Sequence, residues 1–430
     1  MKKHLKYKDY IILLPFLFFY VLIIFFKQQN VLLGDEGRYW SYAYKLLQGY
    51  YAGSEFGEYS YLWNGPGYPI ILMPFRYYDT PLIYPKLMNA FFLYAGLIFF
   101  FRSLKHFLIR KKALWVTITL GFYYPLLQMA LPALYTEALS FMCCTAFIYF
   151  FFNYYKEGKT QQFILCCFSL AYLALTKVIF GYVILTLLVC FLIWYFFSKA
   201  KKEVISFIKI LVCSLVICSP YLLYTYSLTD KFFYWGNSGG MNLYWMSSPF
   251  EGELGDWHYF ETLEEEFPEI YKNHESFLLS IKNLTPVEKD TALKQKAVEN
   301  IINHKQKFIK NWVSNISRIF IEIPYSYRVQ SNNQLFYLLP NVTLIMILIS
   351  ALLISILNFR MFSNNILFLI LFIIIYLGGI SVLSALVRFL YPIIPILLMW
   401  ICYTFEKFVK INRERGRIIL CISNSIFSNK

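Results

Sequence analysis

The string Gly34-Asp35-Glu36-Gly37-Arg38-Tyr39 places two adjacent carboxylates and an arginine a few residues beyond the first long apolar run of the chain. A carboxylate at such a point can accept the proton of an attacking hydroxyl. Fixed cations nearby can hold a departing phosphate as its negative charge grows. Three more ionisable groups flank later apolar runs: Glu137 in Leu134-Tyr135-Thr136-Glu137, Lys177 in Leu175-Thr176-Lys177, and Arg388 before Phe389-Leu390. Ionisable groups at these depths are expensive and usually have a partner or a task. Each also has a plainer reading. Asp35 and Glu36 can cap the helix that follows and meet its positive dipole end. Glu137, Lys177 and Arg388 can each cap or snorkel at a helix end. The readings are compatible, because a cap fixes a carboxylate in place.

The elements that must position these groups are set by composition. Hydrophobic residues make up 58% of the 430-residue chain and charged residues only 15%, far from a soluble average. A bilayer core of ~30 Å needs about 20 apolar residues per helix. About ten such runs are expected, over 10–26, 82–101, 113–131, 136–152, 163–178, 179–197, 208–226, 337–357, 366–384 and 389–405. The fold class is therefore an all-α polytopic membrane protein, because spanning helices close their own backbone hydrogen bonds. The first run has basic flanks and no small-residue cleavage site, so it is expected to be retained.

The net charge of +15 is distributed by side. With the N-terminus inside, the inner segments hold about 22 Lys/Arg against 5 Asp/Glu, leaving 18 and 20 for the outer ones. This is a positive-inside pattern, with contact to anionic membrane lipid as a by-product; it argues against a nucleic-acid partner. Both termini are expected in the cytoplasm, and Asp35, Glu36, Arg38, Glu137, Lys177 and Arg388 all fall on the opposite, extracytoplasmic face. Seven of the nine cysteines lie in or beside expected helices, without metal-ligand spacing, and read as packing residues.

Residues 1–430 form one transmembrane domain carrying two long outer loops. In the first, 27–81, Tyr39, Tyr42, Ala43, Leu46 and Leu47 share one face of a surface helix that ends near Gly49. Further along, Trp63-Asn64-Gly65-Pro66-Gly67-Tyr68-Pro69 is a rigid aromatic turn, with Asn64 and Tyr68 as candidate substrate contacts. The second loop, 227–336, opens with a Gly/Asn/aromatic stretch in which Asn237 and Asn242 are further candidates. Thr285-Pro286-Val287-Glu288 then starts a capping box. The helix it begins is expected to run to about Ile323, with Phe308, Ile309, Trp312, Val313, Ile316, Ile319 and Phe320 on an interfacial face.

These strings, in this order, resemble those of the GT-C membrane glycosyltransferases, in particular the branch of lipid A aminoarabinose transferases and protein O-mannosyltransferases. The matching elements are Asp35-Glu36-x-Arg38-Tyr39, Gly65-Pro66-Gly67-Tyr68-Pro69, Thr136-Glu137, Leu175-Thr176-Lys177 and Arg388-Phe389-Leu390-Tyr391-Pro392-Ile393-Ile394-Pro395. The resemblance implies an inverting transferase that takes a sugar from a polyprenyl-phosphate donor at the outer face of a bacterial inner (plasma) membrane. It implies Asp35 as the general base, Glu36 and Glu137 in support, and Arg38, Tyr39, Lys177 and Arg388 at the donor phosphate. The aminoarabinose branch has an acidic residue and a lysine before its proline turn where this chain has Trp63 and Asn64. Sugar and acceptor (glycan, lipid or protein) thus stay open. Parts of the wider fold bind a divalent ion, for which this sequence offers no ligand motif; no cofactor is identified. A polysaccharide polymerase or ligase using lipid diphosphate-linked glycans, and a lipid-linked sugar flippase, are the alternatives.

Overall fold

A computed structural model describes residues 2–52, 62–326, 335–414 and 417–422. Residues 53–61 of the first expected loop and 327–334 of the second lie outside the described residues. Helix α1 (Lys2–Lys27) is followed by α2 (Asp35–Leu47) and α3 (Gly67–Tyr77), and then by α4 (Ile83–Leu104). Next come α5 (Arg110–Gly121), α6 (Tyr124–Ala130), α7 (Glu137–Glu157), α8 (Thr160–Thr176), α9 (Ile179–Phe197) and α10 (Lys201–Thr229). Five further helices lie in the large loop: α11 (Gly239–Met246), α12 (Leu263–Glu266), α13 (Pro268–Ser280), α14 (Pro286–Asn303) and α15 (Lys305–Ile321). The chain then returns through α16 (Leu335–Leu357), α17 (Asn364–Ser381), short 3-10 turns at Val387–Phe389 and Tyr391–Ile393, and α18 (Ile394–Phe408). Two strands, Val409–Glu414 and Arg417–Ile422, then pair antiparallel.

Eight segments among the described residues are long and apolar enough to cross a membrane. They coincide with eight of the expected runs. The third run, 113–131, is instead two helices bent by 50° between Gly121 and Tyr124. Pro125, at the start of α6, has no N–H with which to continue α5. The fifth run is the 17-residue helix α8, short for a full crossing.

Helix α7 is the centre of the bundle. It packs against α4 and α8, and with the Val387–Phe408 segment it is among the most buried spans, two-thirds of its window being covered against 28% for α1 and α16. Phe141, Cys144, Phe147, Ile148 and Phe151 form its inner face. Its first residue, Glu137, therefore starts from the middle of one end of the bundle.

The large loop departs from the expected single long helix. The Thr285–Glu288 capping box is formed, but the helix breaks at His304, whose φ of −128° and ψ of 49° are not helical. The break lets each half bury a different face. Helix α14 turns Leu293, Ala297 and Asn300 inward, whereas α15 buries Lys307, Asn311, Asn315 and Arg318. Ile309, Trp312 and Val313 point outward. Ile319 and Phe320, expected on the same outward face, instead pack into the core, because the last turn of α15 is covered by the bundle.

Candidate functional site

The turn into α2 is made by Gly34, whose φ of 55° suits glycine. It delivers two carboxylates to opposite uses. Glu36 points inward and is buried. Its Oε2 accepts from Leu33 N (3.0 Å) and its Oε1 from Leu134 N (2.7 Å), with Lys86 Nζ 3.5 Å away. Lys86 also donates to Gln29 O at 2.7 Å. Glu36 thereby ties α2 to α4 and to the segment before α7. The N–H it satisfies, that of Leu33, lies ahead of the helix, and α2 has no side-chain cap, so the expected capping role of the acidic pair is not what the structure shows.

Asp35 makes no capping hydrogen bond. Its Oδ1 accepts from Arg38 Nη2 and its Oδ2 from Arg388 Nη2, the latter at 2.6 Å. Burial pushes the Asp35 carboxyl up, but Arg388 and Arg38, with Lys177 further off, outweigh it and hold the group below the usual carboxylate range. It stands as an ionised acceptor with a cation on each oxygen.

The aromatic turn sets Arg38. Asn64 Oδ1 accepts from Arg38 Nε (3.0 Å), Asn64 Nδ2 donates to Tyr39 Oη (3.1 Å), and Tyr51 Oη donates to Asn64 O (2.6 Å). The guanidinium lies 4.6 Å from the Trp63 ring centroid, a cation–π distance. Tyr39 meets Tyr68 edge-on at 5.4 Å. Two glycines let the turn sit on the end of α8: a Cβ on Gly65 would lie 2.0 Å from Leu175 O, and one on Gly67 2.6 Å from Thr176 Oγ1. The next residue is Lys177.

Lys177 Nζ donates to Glu137 Oε1 at 3.0 Å. The other carboxylate oxygen, Oε2, is buried and has no hydrogen-bond partner among the described residues. Arg388 stands in the field of Asp35, Glu137 and Tyr39. Its guanidinium lies 5.3 Å from the Tyr135 ring centroid. Asp35, Arg38, Tyr39, Asn64, Tyr68, Glu137, Lys177 and Arg388, drawn from five separate stretches of sequence, thus meet at one end of the bundle.

No protein-family model matches the sequence, and no curated protein matches it.

Two expected contacts lie apart from this group. Asn237 Oδ1 accepts from Leu62 N (3.1 Å) while Asn237 N donates to Leu62 O (3.2 Å). Asn242 Nδ2 donates to Ser238 O (2.9 Å), and its carbonyl accepts from Ser384 N (3.1 Å). Both asparagines join the large loop to segments that lead into the site. Three residues were not singled out from the sequence. Lys86 supports Glu36, Asn89 holds Tyr68 (Oη to Oδ1, 3.5 Å), and Trp63 carries Arg38. The available signal for Lys86 and Asn89 was two polar side chains one turn apart inside an apolar run.

Proposed function

We propose that the protein is an inverting glycosyltransferase of GT-C type, moving a sugar from a polyprenyl-phosphate donor to an acceptor hydroxyl at the extracytoplasmic face of the membrane. The observation that carries this reading is an ionised, largely enclosed carboxylate, Asp35, flanked by Arg38 and Arg388 with the Glu137–Lys177 pair beside it. In a single displacement the acceptor oxygen forms a bond to the anomeric carbon on the face opposite the phosphate. The bond from that carbon to the phosphate oxygen breaks, and the acceptor proton passes to Asp35. The phosphate leaves on its lipid with both electrons of that bond. Arg388, Arg38 and Lys177 meet the charge that grows on it. Glu137, with one free carboxylate oxygen, offers a second acceptor for a substrate hydroxyl.

Membranes containing the full-length protein are expected to transfer labelled sugar from a polyprenyl-phosphate donor. Asp35→Asn is expected to abolish transfer at unchanged protein level, and full activity in that variant would remove Asp35 from the base role. Three cations also suit a diphosphate, which supports the polymerase or ligase alternative. Turnover with lipid diphosphate-linked glycans alone would decide for it.

A further inference from the structure

The geometry points to Asn315, on the loop helix α15, as a positioning residue for Arg388. Through it, the large loop sets the cation that pairs with Asp35. Helix α17 ends at Ser381 and Arg388 sits in the 3-10 turn Val387–Phe389. The chain between them is not helical, and the last carbonyls of α17 need partners from elsewhere.

Asn315 supplies them. It is fully buried, and its Nδ2 donates to Ser381 O and to Leu383 O, both at 2.7 Å. Its Oδ1 accepts from Ala385 N at 3.0 Å and from Arg318 Nη2 at 3.2 Å. One carboxamide thus fixes alternate residues of the run leading to Arg388. Two more loop groups act on the same run: Trp312 Nε1 donates to Ser381 Oγ (3.1 Å), and Asn242 O accepts from Ser384 N (3.1 Å).

Arg388 has little else to locate it. Its Nη2 reaches Asp35, its guanidinium lies over the Tyr135 and Phe389 rings, and its Nε has no hydrogen-bond partner among the described residues. Its place is set by the backbone it grows from. Only an amide can give two hydrogen bonds and receive two at that point.

The inference rests on the transferase reading for what Arg388 does with donor, but not for its pairing with Asp35, so the test reads the pairing directly. Dicyclohexylcarbodiimide modifies carboxyl groups in their protonated form, and modification of Asp35 in the full-length, detergent-solubilised protein can be followed by peptide mass spectrometry from pH 5 to 8. Asp35 is faced by Arg388 and Lys177 from the core and by Arg38 and Tyr39 from its own helix. Tyr135, Glu36 and Glu137 complete its surroundings. Asn315→Leu keeps the size, adds no charge and lets the 381–385 run relax. Removing a close cation raises a carboxyl by about one unit or more, so labelling of Asp35 at a given pH is expected to rise about tenfold. Arg388→Gln should do at least as much.

The control is Asn311→Leu, one turn earlier on α15. Asn311 is equally buried but bonds Met246 O and Ser248 O within the loop, and its loss should leave Asp35 labelling unchanged. Asn315→Leu labelling like wild type overturns the proposal. So does an equal rise in Asn311→Leu, which would be general loop damage, or no rise in Arg388→Gln. If labelling follows the expected order while no variant, wild type included, transfers sugar, the positioning role stands and the transferase reading falls.

Discussion

Asp35 and Glu36 are adjacent and chemically alike, yet their surroundings give them different work. Glu36 accepts two backbone N–H groups and faces Lys86. A glutamine there can accept one of those bonds and must turn an NH2 toward the other donor. Leaving a buried donor unmade costs about 1–3 kcal/mol. Glu36→Gln is therefore expected to lower the thermal midpoint while the folded fraction keeps turning over. A thousandfold loss of kcat with unchanged midpoint would put Glu36 in the chemistry instead. Asp35 carries a pH signature of known sign. Its folded carboxyl lies below the ordinary value of about 3.9. Its pairing thus contributes stability that is fully present above that value and is lost as pH falls through the folded one. The gap in thermal midpoint between wild type and Asp35→Asn is expected to stay constant from pH 8 to 5 and to narrow only below about pH 4; narrowing near pH 6 would contradict the two-arginine environment. At this scale the sequence was legible for residue type and opaque for partner. Charged groups beside apolar runs marked Asp35, Arg38, Glu137, Lys177 and Arg388, but nothing local says that Arg388 meets Asp35 across 353 positions.

Helix α2 was readable because its apolar residues repeat at helical spacing, and Gly49, with φ of 90°, follows its end. The α14–α15 break was not. It follows from what each half packs against, and the sequence from Pro286 to Ile321 contains no interior proline or glycine to announce it. The bend in the third run had local signs, Gly121 and Pro125. Close approach between elements is likewise a tertiary fact, and it separates two glycines of similar appearance. A Cβ at Gly65 would meet the Leu175 carbonyl at 2.0 Å, whereas one at Gly37 meets nothing within 4 Å. Because that carbonyl is backbone, Gly65→Ala must push the aromatic turn away from the end of α8, where Lys177 sits. A cost of about 1–3 kcal/mol is expected, with a raised donor KM. Gly37→Ala, inside α2, is expected to be neutral or to stabilise by up to about 1 kcal/mol. Thermal midpoints of the two variants check the pair, and equal effects would mean that the turn does not rest on α8.

The arrangement of the whole chain follows from which loops share an end. Asp9 pairs with Lys105 (2.5 Å), Lys112 with Glu406 (2.6 Å), and Asn364 donates to Glu203 (2.7 Å). Asp35 pairs with Arg388 and Glu137 with Lys177 at the opposite end. The loops assigned to one side by charge are therefore neighbours in space. Contacts of this kind say which loops go together, while the direction comes from the lysines and arginines. The end with Asp9 and Lys112 belongs to the basic set, which the positive-inside rule expects on the cytoplasmic side. Lys111 and Glu264 are exposed positions at the two ends. In intact cells, Glu264→Cys is expected to react with a membrane-impermeant maleimide, and Lys111→Cys only after permeabilisation. The native cysteines in and beside the helices supply the background to subtract. The opposite pattern would turn Asp35 toward the cytoplasm. On the transferase reading proposed above, donor would then have to be presented, and product released, on that face.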